Sequence, residues 1–212
     1  MKITKRYDYF SNREGRAHFI AKTFTTEIEN SASVLDVGCD YNTLKKIVGQ
    51  KVTGIDLYGA PDITVDFEKE KLTQFQDRQF DFVVCTEVLE HLENFHEMVD
   101  ELCRVSNKYI LISLPNCTDI FTRMNILFRG KASKFYGLPL EKPEDRHRWF
   151  FSSNDAQAFF RAYAKRNNLS LSREFLNCNF SNSWKGILVR NFVKIFDINT
   201  AAQSYWILLE KK

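Results

Sequence analysis

Short apolar runs alternate with helically spaced apolar positions through the first half of the chain. Val34 to Val37, Val52 to Asp56, Asp62 to Phe67, Phe80 to Cys85 and Lys108 to Ser113 are strand-sized and rich in β-branched residues. Near-continuous apolar runs of that length fit strands buried on both faces. Between and before them, apolar residues recur at helical spacing: Ala17, Phe19, Ile20 and Phe24, then Leu44, Ile47 and Val48, then Phe95, Met98, Val99, Leu102 and Val105. Strand and helix in alternation predict an α/β fold: a parallel sheet with helices on both faces.

The rhythm changes after Asn116. Residues 117–150 interleave Arg123, Arg129, Lys131, Lys134, Lys142, Arg146 and Arg148 with Phe121, Phe128, Phe135, Tyr136, Trp149 and Phe150, and Pro139 and Pro143 break any long helix. Such a segment after the fifth strand is a candidate substrate lid. Ser152 or Ser153 can cap a helix running to about residue 166. Leu169 to Leu176 reads as a sixth strand and Ala202 to Leu209 as the last. Residues 177–201 lie between them as a second insertion, with a helix over Trp184 to Phe196. The expected organisation is a single domain over 1–212, with a helical cap over 1–30.

A chain of 212 residues, 44% hydrophobic and 27% charged, has the composition of a soluble globular protein. Its net charge of +3 is too small to argue for nucleic acid as a partner. Five cysteines, odd in number and without CxxC spacing, point to reduced thiols and a cytoplasmic location. No signal peptide and no apolar run of membrane-spanning length is read.

The chemistry concentrates at residues 34–44. Here a buried strand turns through Gly38 into a helix, leaving backbone N–H groups available to a nucleotide-like ligand. Asp36 closes that strand, where it can accept from an ammonium or fix the turn. Asp56 closes the next, placed to accept both ribose hydroxyls of a nucleoside. Val34-Leu-Asp-Val-Gly-Cys39 resembles motif I of the class I S-adenosylmethionine-dependent methyltransferases. Asp40 and Asn42 stand where that family usually has glycines. Asp and Asn are the next most tolerant residues of the left-handed region, so the turn is expected to survive. Asp62 to Phe67, Thr86-Glu-Val-Leu-Glu-His-Leu92 and a fifth strand ending in Pro115-Asn116 extend the resemblance over about residues 30–116.

The resemblance implies a doubly wound, mostly parallel seven-stranded sheet with helices on both faces and a lid after the fifth strand, and S-adenosylmethionine as cofactor, with S-adenosylhomocysteine as product. It implies cofactor contacts from Asp36, Gly38, Cys39, Asp40, Asp56, Leu57, Asp66, Phe67 and Glu87. In it, Asp66 accepts from the adenine amine and Phe67 packs on the ring. Arg13 or Arg16 can reach the methionine carboxylate and offset Asp40.

Methyl transfer is an in-line displacement that needs positioning, and a hydroxyl acceptor also needs a proton acceptor. His91 and His147 are the candidates, with the acceptor site between residues 87–91 and the lid and His147 at its mouth. Glu87, Glu90 and His91, at i, i+3 and i+4, would share one face of a helix. Glu-x-x-Glu-His with a later His also resembles metal ligands of small-RNA 3′-end and ubiquinone-pathway methyltransferases. The reading adopted assigns no metal. The expected acceptor is a small molecule or glycan, methylated on oxygen or nitrogen. The rivals are an RNA methyltransferase and a non-catalytic binding protein of the same fold.

Overall fold

The computed structural model describes residues 3–132, 136–141, 143 and 146–212. Lys134, Phe135 and Lys142 of the basic-aromatic segment therefore lie outside the described residues. The strands are β1 (Thr4–Arg6), β2 (Val34–Val37), β3 (Val52–Asp56), β4 (Ile63–Thr64), β5 (Phe80–Thr86), β6 (Ser106–Pro115), β7 (Leu169–Asn177) and β8 (Ser204–Lys211). They form one sheet of order β1-β7-β8-β6-β5-β2-β3-β4. All pairings are parallel except those of β8, which runs antiparallel to both β6 and β7.

The expected class is found, with eight strands instead of seven. The extra strand, β1, is three residues of Thr-Lys-Arg with no apolar pattern. It exists because β7 offers it a parallel edge. Its place in the N-terminal segment corrects the expectation of an all-helical cap. The third expected strand shrinks to two residues at the far edge.

Side chains alternate across the sheet and build a core on each face. Leu35, Val37, Val83, Cys85, Ile110 and Ile112 face α4 (Phe95–Val105) and α6 (Ser153–Arg166). Val34, Phe82, Val84, Leu111, Trp206 and Leu208 face the layer of α1 (Arg13–Thr23), α2 (Thr25–Glu29) and α3 (Thr43–Val48). The stripe expected on α4 is the buried one. Ser152 closes a capping box with Asp155 at the start of α6.

Beyond β6 the chain forms α5 (Ile120–Arg129), a helix that was not expected within the lid segment. Beyond β7 it forms α7 (Trp184–Val193) and α8 (Ile198–Ala201). Among the described residues no helix is long and apolar enough to cross a membrane.

The approach to α1 is pinned by two asparagines at the end of β7. Asn177 accepts from the Asp8 N–H and donates to the Asp8 carbonyl, and Asn179 does the same for Phe10. These amides imitate a further stretch of ladder and set where Arg13 and Arg16 emerge. Replacing Asn177 by Ala leaves part-buried backbone groups of Asp8 unpaired, at a cost of about 0.5–1.5 kcal/mol. Hydrogen exchange of the Asp8 and Phe10 amides is expected to accelerate in the Asn177→Ala, Asn179→Ala protein. Unchanged protection there would show that the segment is held by other contacts.

Candidate cofactor cleft and acceptor site

β2 lies inside the sheet, with two strands on one side of it and five on the other. From it the chain winds outward through β3 and β4 on one side and β5 and β6 on the other. The tips of β2 and β5 therefore flank the topological switch point, where open α/β sheets bind ligands.

The turn leaving β2 takes the geometry that its residue types suggested. Gly38, Asp40 and Asn42 have φ of 80°, 52° and 56°. A Cβ at Gly38 would overlap Val88. Asn42 uses its side chain structurally: its Nδ2 donates to the Ala60 carbonyl at 2.9 Å. Its Oδ1 is buried without a partner against Gly54, where a Cβ would overlap it. The neighbouring strand must therefore be glycine at 54 because the turn carries asparagine at 42.

Asp56 ties the two strand tips together. Its Oδ2 accepts from the Asp40 N–H at 2.8 Å and its Oδ1 from the Tyr58 N–H at 3.1 Å. Each oxygen keeps a second acceptor direction. Leu57, beside it, is exposed. The additional carboxylate of Asp40 is matched by Arg13, whose Nη1 lies 2.9 Å from Oδ2. Arg13, Arg16, Asp36, Gly38, Asp40 and Thr86 line one cleft above these tips.

Two carboxyls beside the cleft are held toward their neutral form. Burial raises the Asp36 pKa to about 7, against a partial counter-effect from Arg16. Burial also raises that of Glu87, with Arg16, the Ser113 hydroxyl and His91 pulling the other way. Ser113 donates to Glu87 Oε1 at 3.2 Å. Glu87 has φ of 58°, a region that a non-glycine residue occupies at a cost and mostly at functional sites. The Cys39 thiol, pushed up to about 12 by burial and the nearby acids, stays protonated.

Several expectations are corrected. Residues 87–91 are a loop ending in a short 3₁₀ turn, Leu89–His91, so Glu87, Glu90 and His91 share no helix face. The positive φ at Glu87 prevents one. Phe67 is turned into the core beside Val65 and Leu72, so its ring is not presented at the strand tips. Asp66 caps its own turn and pairs with Lys69 at 2.7 Å. His147 is buried, not at a mouth.

His147 and His91 do come together, with ring centroids 4.7 Å apart. The segment before α6 is stitched onto the 3₁₀ turn. Arg148 N–H donates to the Glu90 carbonyl at 2.8 Å, and Trp149 Nε1 donates to the Leu92 carbonyl at 2.7 Å. His91 Nδ1 lies 3.2 Å from the Arg146 carbonyl, which can only accept. On its other side, His91 Nε2 lies 3.6 Å from Glu90 Oε1.

Tyr136 donates to the Trp149 carbonyl and sits 2.9 Å from His147 Nδ1. Cys117 Sγ completes the cluster at 2.8 Å from the Tyr136 hydroxyl. Ligand-capable atoms of Glu90, His91 and His147 lie within 4.8 Å of one another, close enough to hold a metal ion. Sequence reading missed Tyr136 and Cys117 as supports for the histidines, since nothing local marks a contact across 19 and 11 positions.

A family profile for methyltransferase domains matches residues 8–164, and the chain belongs to that family. It is a methyltransferase of the class I fold, and S-adenosylmethionine is the cofactor of that family. No curated protein matches the sequence. Among solved structures it resembles an S-adenosylmethionine-dependent methyltransferase from Archaeoglobus fulgidus, at 21% identity and a TM-score of 0.55 over 95% of each chain. It also resembles magnesium protoporphyrin IX methyltransferase from Synechocystis, at 16% identity and a TM-score of 0.56, over 97% of this chain and 90% of that one. The small RNA methyltransferase HEN1 matches at 18% identity and a TM-score of 0.59, over 99% of this chain and 27% of that one. At these identities the structural likenesses speak for the fold alone.

The Asn42–Gly54 contact generates a double-mutant test. Gly54→Ala is expected to lower the urea midpoint by the equivalent of about 1–3 kcal/mol through overpacking. In an Asn42→Gly background the loss should shrink, giving a coupling of at least about 0.5 kcal/mol. Asn42→Val, which forces a β-branched residue into positive φ, should cost more than Asn42→Gly. Strictly additive effects would mean that the turn and β3 do not interlock in this way.

Proposed function

We propose that the cleft at the β2 and β3 tips holds S-adenosylmethionine and that the chain transfers its methyl group to an oxygen, or a nitrogen, of a small-molecule or glycan-type acceptor. The donor set suits the cofactor. Asp56 has acceptor directions left for a ribose diol, Asp36 is an acid suited to an ammonium, and Arg13 and Arg16 are cations suited to a carboxylate. Leu57 offers an apolar edge in the role that Phe67 does not fill. The cofactor brings an electrophilic sulfonium methyl, so this chain's residues bind, orient and take up a proton.

The observation that carries the reading is the pairing of His91 with His147 beside Glu87, whose carboxyl responds to both Arg16 in the cleft and His91. Thr86 lines the cleft and His91 lies five residues further along the chain, so the histidine pair adjoins the cofactor end of the site, where an imidazole can accept a proton. Residues 117–150 serve as the acceptor lid, strapped to the turn through Arg148 and Trp149. The five unpaired cysteines fit a reducing compartment. The clustering of Glu90, His91 and His147 favours a second reading, in which a divalent cation orients the acceptor oxygen.

Asp36 gives binding a pH signature. Its pKa of about 7 lies above the ordinary carboxyl value, so in the unliganded protein it is largely protonated below pH 7. A bound ammonium favours the ionised form. Calorimetry should therefore show proton release on cofactor binding below about pH 7, with affinity rising as pH increases through about 7 and level above it. For the unliganded fold the sign is opposite. The unfolded chain ionises Asp36 first, so the contribution of this residue to stability falls between about pH 4 and 7. Asp36→Asn should abolish the proton release. Asp56→Ala should weaken binding about tenfold or more through lost hydrogen bonds to the ribose. Release that persists in Asp36→Asn would place the titrating group elsewhere.

For transfer, His91→Ala and His147→Ala are each expected to lower the rate by roughly 10²–10⁴-fold with cofactor affinity nearly intact. A chelator separates the two readings. Activity lost to chelator and restored by a divalent ion supports the cation, and indifference to chelator supports an imidazole base. Full activity in both variants would remove the pair from the chemistry.

A further inference from the structure

Two helices outside the sheet, α5 and α7, expose an unusual amount of apolar surface. On or after α5, Leu127 and Phe128 are 76% and 74% exposed, and Leu138 and Leu140 are fully exposed. On and after α7, Trp184 and Ile195 are 69% and 74% exposed. α5 buries none of its residues. Isolated exposed apolar residues are ordinary, but two helices so composed form a surface that needs a partner.

Their placement is shared. β6 and β7 run in the same direction, both antiparallel to β8 between them. α5 and α7 therefore rise from the same edge of the sheet, the edge that carries the cofactor cleft. The Phe121 and Phe180 rings, 5.9 Å apart, join the root of α5 to the segment leading into α7.

Charge selects the partner. Residues 120–131 and 184–196 hold six bases (Arg123, Arg129, Lys131, Lys185, Arg190 and Lys194) and no acid. With 30 bases and 27 acids in the whole chain, the remainder is left with a net charge of −3. Asp119 and Asp197 lie just outside these spans and Glu141 follows Leu140, so the basic excess belongs to the two helices, and an apolar helical face edged by Lys and Arg is the composition of an interfacial helix. A polybasic rim adds roughly fivefold in partition per residue at an anionic leaflet. A polynucleotide would engage the bases but leave Leu127, Leu138, Leu140 and Ile195 in water.

We infer that α5 and α7 with the loop around Leu138 and Leu140 dock this enzyme on anionic lipid bilayers, with the cofactor edge of the sheet turned toward the leaflet. Docking itself stands apart from the proposed function. Only the consequence, that the acceptor is lipid-borne or drawn from the bilayer surface, rests on it.

The test is flotation of the full chain with vesicles of phosphatidylcholine alone or with about a third phosphatidylglycerol. Binding is expected to the anionic vesicles and to weaken with salt. A blue shift of Trp184 emission, absent in Trp184→Phe, should accompany it. Leu127→Ser with Phe128→Ser, and Ile195→Ser alone, change exposed side chains, and S-adenosylmethionine titration reports whether each variant keeps its fold. The double variant should lose at least tenfold in partition, and Lys185→Glu with Lys194→Glu should lose the preference for anionic vesicles. Absence of vesicle binding at low salt overturns the inference, as does binding unaffected by all these variants. Vesicle binding absent while the wild type dimerises or binds RNA through the same residues assigns the face to that partner and overturns it equally. Vesicle binding without cofactor binding would sustain the docking surface and sink the methyltransfer reading.

Discussion

The bond from the Asp40 N–H to Asp56 is the constraint on which the site depends. It fixes the turn after β2 to the end of β3, and no packing contact could do so with the same direction. The turn reaches that acceptor only because three residues in five have positive φ. Around it the contacts become mutually obligatory. The Asp40 carbonyl accepts from the Ala60 N–H, and a Cβ at Gly59 would overlap it. Asp62 accepts from the Gly54 N–H and pairs with Lys45 of α3. The strand tips, the start of α3 and the loop to β4 are thus one unit, in which Asp40 and Asn42 replace glycine by supplying bonds that glycine cannot make.

The two-faced burial of the sheet was the most legible feature of the chain. Val34, Leu35, Phe82, Val83, Val84, Ile110 and Leu111 are apolar on both sides of their strands, and a run buried on both faces leaves little alternative. Motif I was legible for a related reason: positive φ restricts residue choice so strongly that Gly, Asp and Asn mark the turn in the sequence. β1 was illegible because a parallel edge pairs backbone, whatever the side chains. The helix expected at residues 87–91 failed for the converse reason. Its i, i+3, i+4 spacing is real, but a single positive φ at Glu87 breaks the periodicity to which that spacing refers. The His91–His147 pairing joins positions separated by a lid, and no local signal encodes that closure.

Apolar composition misled in one region and informed in another. Phe67 follows an acid at a strand tip, where exposure to the cofactor was expected. The short β4 and the turn capped by Asp66 rotate it into the core with Phe75 and Leu72. Trp184 to Phe196 is apolar enough to suggest a covering helix, and the helix forms, but Val193 and Gly186 are its only residues that are buried. A helix whose apolar residues outnumber its buried ones is set by something outside the chain's own core. The same reasoning applies to α5, which has a regular N-cap at Asp119 yet buries nothing.

The acids around the cleft show how an unliganded site can be costly to keep. Asp36 and Glu87 are both desolvated enough to favour protonation, and Glu87 adds a strained backbone. Neither contributes to the hydrophobic core, and replacement by an apolar residue would relieve the desolvation at either position. Arg16 acts on both carboxyls and opposes the effect of burial at each. A site arranged this way resists a fixed internal ion pair and remains responsive to an added cation. A bound ligand carrying both an ammonium and a carboxylate can favour ionised Asp36 while engaging Arg16, so the two ends of such a ligand are coupled through one arginine. In the proposed reading, a zwitterion meets a group of opposite charge at each of its ends.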